Sequence, residues 1–280
     1  PYMDKDGAIW VKSGADKRRA TSREEIQRMF QSSSLIHGDE VPVPGMSLAD
    51  VAIDYFREKF PVLTGENYSE QDLPLGQLLL NMNLLREENL NVAGALLFGK
   101  NLEHKLPAFI VKAVCYPDDD VTTSSYIDSR DITGRIADVF YQSLSFVLGN
   151  IRMEQSSRGI NSTGEPEIPK IVFEELIANA LLHRDYFIMA PVRIFVFRNR
   201  IEIISPGHLP NHLNVENIKS GNSNLRNPIL ASFATKLIPY RGLGSGIRRA
   251  LHAYKKIDFI NDREINVFSV IIQRGSSLRE

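Results

Sequence analysis

Cysteine, long apolar runs and net charge are all scarce in this sequence. Cys115 is the single cysteine of 280 residues. No disulfide can form within the chain, which fits a reducing, cytoplasmic setting. No run approaches the roughly 18 apolar residues of a membrane-spanning helix, so no membrane partner is expected. Lys and Arg number 33 against 34 Asp and Glu, a formal net charge of −1. No global field therefore draws nucleic acid to these residues. The opening PYMDKDGAIW has neither an initiator methionine nor a signal pattern. It reads as the start of a fragment whose native N-terminus lies upstream. Walker loops, zinc-ligand spacings, Ser-His-Asp elbows and internal repeats are missing too. HRD at His183–Asp185 is no kinase loop, because Ala190 stands where that loop needs asparagine and no DFG follows.

Hydrophobic residues make up 43% of the chain and charged ones 24%, ordinary globular usage at a length that allows roughly two domains. GAIWVKSG (7–14) reads as a short strand. A helix starts at Ser22, with Glu24 and Glu25 in its first turn. Residues 32–45, rich in Ser, Gly and Pro, read as a linker. An amphipathic helix is expected over 46–60, ended by Pro61, and an apolar one over 73–85. LNVAGALLFG (90–99) fits helix or strand. AFIVKAVCY (108–116) reads as a buried strand, and 132–148 as a long helix. SSRGINSTGEPEIP (156–169) is the clearest boundary. Beyond it come a helix, a β-hairpin over 192–204, a polar stretch turning helical near Pro228, a glycine loop opening a helix, and a last strand over 265–273. That order suggests an α+β (α/β) sandwich with helices laid on a sheet.

Three features could carry chemistry. In FEELIANALLHRDY, Glu175 and Asn179 lie four residues apart, one above the other on a helix, and His183 continues the stripe. A buried amide or carboxylate costs a few kcal/mol unless partnered, so the stripe faces either solvent or an occupied cleft. An amide oxygen can ligate Mg²⁺, and a carboxylate beside it can activate water. The second feature is ISPGHLP (204–210), a turn directly after a strand. The third is RGLGSGIRR, where Gly242, Gly244 and Gly246 precede a helix whose first amides lack intrahelical partners and favour phosphate. Each also has a plain structural reading: a solvated face, a turn, a connector. The charge pattern favours an anion. No Asp or Glu occurs from Asn217 to Ile257, a span that holds eight Lys and Arg, Arg248 and Arg249 among them. The expected cleft has the 192–204 hairpin as its floor, with Gly207 and Gly242–Gly246 on its rim.

In this order the three features resemble the Bergerat ATP-binding fold of the GHKL class of gyrases, chaperones and histidine kinases. EELIANALLHRDY, ISPGHLPNHL, RNPILA and RGLGSGIRRAL resemble one branch more specifically. That branch is the C-terminal domain of bacterial transcriptional-regulator proteins also labelled RecG-like, in which a Schlafen-type, Alba-like DNA-binding domain comes first. The resemblance implies the tail of that first domain over 1–34, an α/β connector over 46–155 and a GHKL-like domain over 166–280. It implies a transcriptional regulator that binds DNA through the mostly missing N-terminal domain and a nucleotide, ATP with Mg, through its C-terminal domain, with a homodimer as a further possibility. Glu175 takes the place of the catalytic base and Asn179 that of the metal ligand. Ser205, Gly207, Gly242, Gly244, Gly246 and Arg248 fall at nucleotide-binding positions. Ser205 departs from the family's aspartate and Leu209 from its second loop glycine, which implies weak binding with little base specificity. An active ATPase and a scaffold or dimerisation module without nucleotide are the alternatives. Helicase activity is not expected, since nothing here resembles a helicase motor.

Overall fold

The computed structural model describes residues 3–33, 35–121, 125–154, 164–210 and 213–275. Strands β1 (Trp10–Ser13) and β2 (Asp16–Arg19) form a separate hairpin, followed by helix α1 (Arg23–Ser32). Ser22 caps α1, its hydroxyl accepting from the Glu25 amide, as the sequence pattern implies. Residues 35–45, expected as a linker, are packed instead. Val43 is buried, its amide donates to Leu90 O, and Val41 O accepts from Val92 N.

Helix α2 (Ile53–Thr64) starts later than expected and runs through Pro61. Before it lies a 3-10 turn, Leu48–Asp50, capped by Ser47. The helix survives the proline by one turn because Gly65, at φ +83°, closes it with a bond from its amide to Pro61 O. The apolar run over 73–85 divides in two. Helix α3 (Leu75–Asn81) stops short of Asn83, which is left-handed at φ +56°, and Leu85 enters a tight hairpin of β3 (Leu85–Arg86) and β4 (Asn89–Leu90). The ambiguous 90–99 stretch is helix α4 (Val92–Phe98), capped by Asn91 and wholly buried. A short α5 (Leu102–Lys105) leads to β5 (Val111–Cys115). The expected 132–148 helix loses Ile132 to β6 (Asp128–Ile132) and 133–135 to the connection after it, and becomes α6 (Ile136–Gly149). Of two short paired strands, β7 (Met153–Glu154) precedes the expected boundary and β8 (Glu165–Pro166) falls within it; 156–163 lies outside the described residues.

The last third supplies α7 (Lys170–Leu182), β9 (Val192–Val196), β10 (Arg200–Pro206), α8 (Val215–Lys219), α9 (Pro228–Leu237), α10 (Gly246–Ala253), β11 (Ile257–Asp262) and β12 (Val267–Gln273). One six-stranded sheet runs β11-β12-β10-β9-β5-β6. Every neighbouring pair is antiparallel except β5 with β9. Alternation orients the faces: Val192, Ile194 and Val196 are buried while Arg193 between them is exposed. Ile203 sits opposite Ile194 on one side and Val270 on the other. Helices α6 and α7 cover this apolar face, giving the expected two-layer sandwich. The segments expected as connector and C-terminal domain share the sheet, since β5 and β6 come from the first and β9 to β12 from the second. They also share one buried hydrophobic cluster. Among the described residues no helix is long and apolar enough to cross a membrane.

Candidate functional site

Helix α7 is buried on nearly every side, with Val172, Phe173, Leu176, Ile177, Ala178, Ala180, Leu181 and Leu182 inside. It lies between α6, α10 and strand β10. Such a helix has no broad solvated face for its polar residues. The Glu175–Asn179–His183 stripe opens onto a cleft, and all three residues line it. The facing wall is Tyr240 and the segment Arg241–Gly246, with Ile247 and Arg249 of α10. The floor is Ile203 of β10, Phe259 of β11, and Phe268 and Val270 of β12. This corrects the expected floor. Strand β9 contributes no lining residue, because β12 and β11 lie on the other side of β10 and it is toward them that the cleft extends. The empty space is about 970 Å³, solvent at the mouth included.

Glu175 is 1% exposed, and its Oε1 lies 2.5 Å from Arg249 Nη2. Burial pushes its carboxyl pKa up, and the Arg249 guanidinium pulls against that rise. Gly246 permits the closeness of the two walls. A Cβ there would lie 2.4 Å from Glu175 Oε2 and 3.5 Å from Asn179 Nδ2. The Asn179 side chain has no hydrogen-bond partner among the described residues, although its backbone carbonyl accepts from the His183 amide. His183 Nε2 lies 3.1 Å from the Tyr240 hydroxyl oxygen. Burial, helped by the Arg226 charge, pushes its imidazole down to about 4, so it is neutral at pH 7.

Ser205 lines the cleft, but its hydroxyl donates to Ala180 O at 3.0 Å. That bond ties β10 to α7 and commits the hydroxyl proton to the Ala180 carbonyl. Gly207 stands on the rim at φ +97°, where a Cβ would lie 2.4 Å from Arg226 Nη1 and 2.6 Å from Asp185 Cβ. Gly242, Gly244 and Gly246 line the glycine wall. Ser245 precedes α10 without a side-chain cap, so the first amides of that helix are not capped by a side chain. Arg248 is absent from the lining. It is exposed, and its Cδ lies 3.2 Å from the Cβ position of Gly221. One residue on, Arg249 reaches the cleft in its place, since successive helical residues point about 100° apart.

Sequence reasoning missed the groups that hold this end of α7. Arg184 is 2% exposed. Its guanidinium lies 4.8 Å and 5.0 Å from the Phe109 and Tyr186 ring centres and donates to the carbonyls of Ile188 and Ala190. Arg226, also buried, donates to His208 O at 2.7 Å. Asn227 donates to Leu182 O and Arg184 O, both at 2.9 Å. HRDY and RNP were visible as motifs, but their partners are backbone carbonyls, which no residue pattern marks. Among the described residues, no group of three or more His, Cys, Asp or Glu side chains could hold a metal ion.

A family described as "Putative ATP-dependent DNA helicase recG C-terminal" has a model that matches residues 190–269, which include Ser205, Gly207 and the glycine segment but not α7. No curated protein matches the chain. Among solved structures, the chain is similar to the DIP2311 protein from Corynebacterium diphtheriae, with a TM-score of 0.62 and 19% sequence identity. That likeness is one of fold. It covers 98% of this chain and 54% of the other, so the chain spans about half the length of that protein.

Proposed function

We propose that the cleft between α7 and the glycine segment binds a nucleotide as its magnesium complex, in the C-terminal part of a DNA-associated regulator. One observation carries this reading: Glu175, Asn179, Gly207 and Gly242–Gly246 line a single cleft. They come from three separate stretches of sequence, and a solvated face, a turn and a connector would have no reason to converge. The family match at 190–269 supports it from a second direction.

The cleft divides chemically. Ile203, Phe259, Phe268 and Val270 offer an apolar floor to a flat base. The free amides of α10, Arg241 and Arg249 offer donors and positive charge to phosphate. The magnesium would be held by Asn179 together with the phosphates of the ligand, and would supply charge neutralisation at the phosphate chain. The unpartnered Asn179 amide fits that role. While Arg249 holds it, the Glu175 carboxylate is a poor general base. Calorimetric titration with Mg-ATP tests the reading. Binding is expected, and Asn179→Ala should remove most of the magnesium dependence. Absence of any binding heat, with the fold intact, would sink it.

A further inference from the structure

The phosphate end of the cleft holds a negative charge of the protein's own. Glu175 is 1% exposed and in contact with Arg249, whose side chain is 28% exposed. The sequence from Asn217 to Ile257 is free of acids, so Glu175, arriving from α7, is the carboxylate that meets this basic wall. The contact is close but under-bonded. Glu175 Oε1 and Arg249 Nε are both buried, and neither has an aligned hydrogen-bond partner among the described residues. A Cβ on Gly246 would lie 2.4 Å from Glu175 Oε2, which leaves no room for a methyl group. Lining the cleft with its side chain part-exposed, Arg249 is placed to receive an oxyanion.

We propose that Arg249 is the phosphate-binding arginine of this cleft, and that the Glu175 carboxylate occupies it as an internal stand-in for the ligand. The proposal rests on the nucleotide reading and adds a regulation to it. Without ligand the Glu175–Arg249 pair latches the glycine segment and α10 onto α7. A polyphosphate has to displace Glu175 from Arg249 to bind. Every ligand therefore competes with an intramolecular anion, which lowers apparent affinity and couples binding to opening of the 241–246 segment.

The test compares wild type, Glu175→Gln, Arg249→Gln and the double variant by titration with Mg-ATP and with inorganic tripolyphosphate. Glu175→Gln removes the competing charge at almost constant volume. It should tighten both ligands roughly 10- to 100-fold, the worth of one charged hydrogen bond. The double variant should lose that gain. Limited trypsin cleavage at exposed Arg241, without ligand, gives a second readout. Arg249→Gln breaks the latch from its other side, so it should speed cleavage without tightening polyphosphate. Equal affinity of wild type and Glu175→Gln would overturn the latch while leaving the nucleotide reading in place. Unchanged cleavage in Arg249→Gln would do the same. Failure of every variant to bind either ligand would overturn both.

Discussion

Gly207→Ala puts a methyl group where the rim of the cleft has no space for one. The new Cβ would lie 2.4 Å from Arg226 Nη1 and 2.6 Å from Asp185 Cβ, on a backbone at φ +97°. Neither neighbour can yield cheaply. Arg226 is 7% exposed and bonded to His208 O, and the Asp185 amide donates to Pro206 O. Backbone strain for a side chain at such a φ costs on the order of 1–3 kcal/mol. Overpacking a buried site adds about 1–3 kcal/mol. The sum, about 2–6 kcal/mol, is a large share of the roughly 5–15 kcal/mol that holds a domain folded. Urea unfolding followed by circular dichroism, at constant m-value, reads the loss directly. Arg226→Met deletes one of the two clashes. In a double-mutant cycle it should therefore recover about 1–2 kcal/mol of the cost of Gly207→Ala. A loss below about 1 kcal/mol, or strict additivity with Arg226→Met, would refute the claim that Gly207 is required by the close passage of Arg226 and Asp185.

Ser205→Ala should cost about 1 kcal/mol for the lost bond to Ala180 O and leave the ATP-to-GTP affinity ratio unchanged. Ser205→Asp should unfold the site rather than tighten ATP, since it sets a buried carboxylate against that carbonyl; a folded variant with sharpened ATP preference would contradict this. Asp39 is fully buried, and its Oδ2 accepts from Leu230 N in the first turn of α9. Burial raises its carboxyl from 3.8 to about 6, so the stability tied to its protonated form is full below 3.8 and lost as pH rises through 6. Asp39→Asn should therefore gain on wild type by about 2 kcal/mol between pH 4 and pH 7; a pH-independent difference would contradict the burial. Fluorescence anisotropy with labelled duplex should show weak binding and a shallow salt slope for this chain, whose formal net charge is −1. Tight binding with a steep slope by this chain alone would reassign the basic stretch 217–257 from nucleotide to DNA.

The sheet-forming segments were legible where period two is strong. Val192, Ile194 and Val196 alternate cleanly, and the 192–204 hairpin and the strand over 108–116 are there. Strand β11 escaped notice because it is an edge strand of six residues in which only Ile257 and Phe259 are buried. Element ends were the weak point. Pro61 does not stop its helix, because a left-handed Gly65 supplies the true cap. The 73–85 run fails as one helix, because Asn83 turns left-handed. The sequence pattern put Glu175 and Asn179 on one stripe, since i and i+4 spacing is local information. It placed Arg248 rather than Arg249 in the cleft, because which face of α10 meets α7 is decided by tertiary packing at Gly246. The docking of Asp39 onto α9, 191 residues away in sequence, leaves no local trace at all.

The most direct test of the nucleotide reading is a structure of this chain with magnesium and a non-hydrolysable ATP analogue. The account predicts the phosphates against Gly242–Gly246 and Arg249, the metal at Asn179 and the base over Phe259 and Phe268. It also predicts Glu175 parted from Arg249. An analogue bound elsewhere, or one whose phosphates avoid the glycine segment, would contradict it.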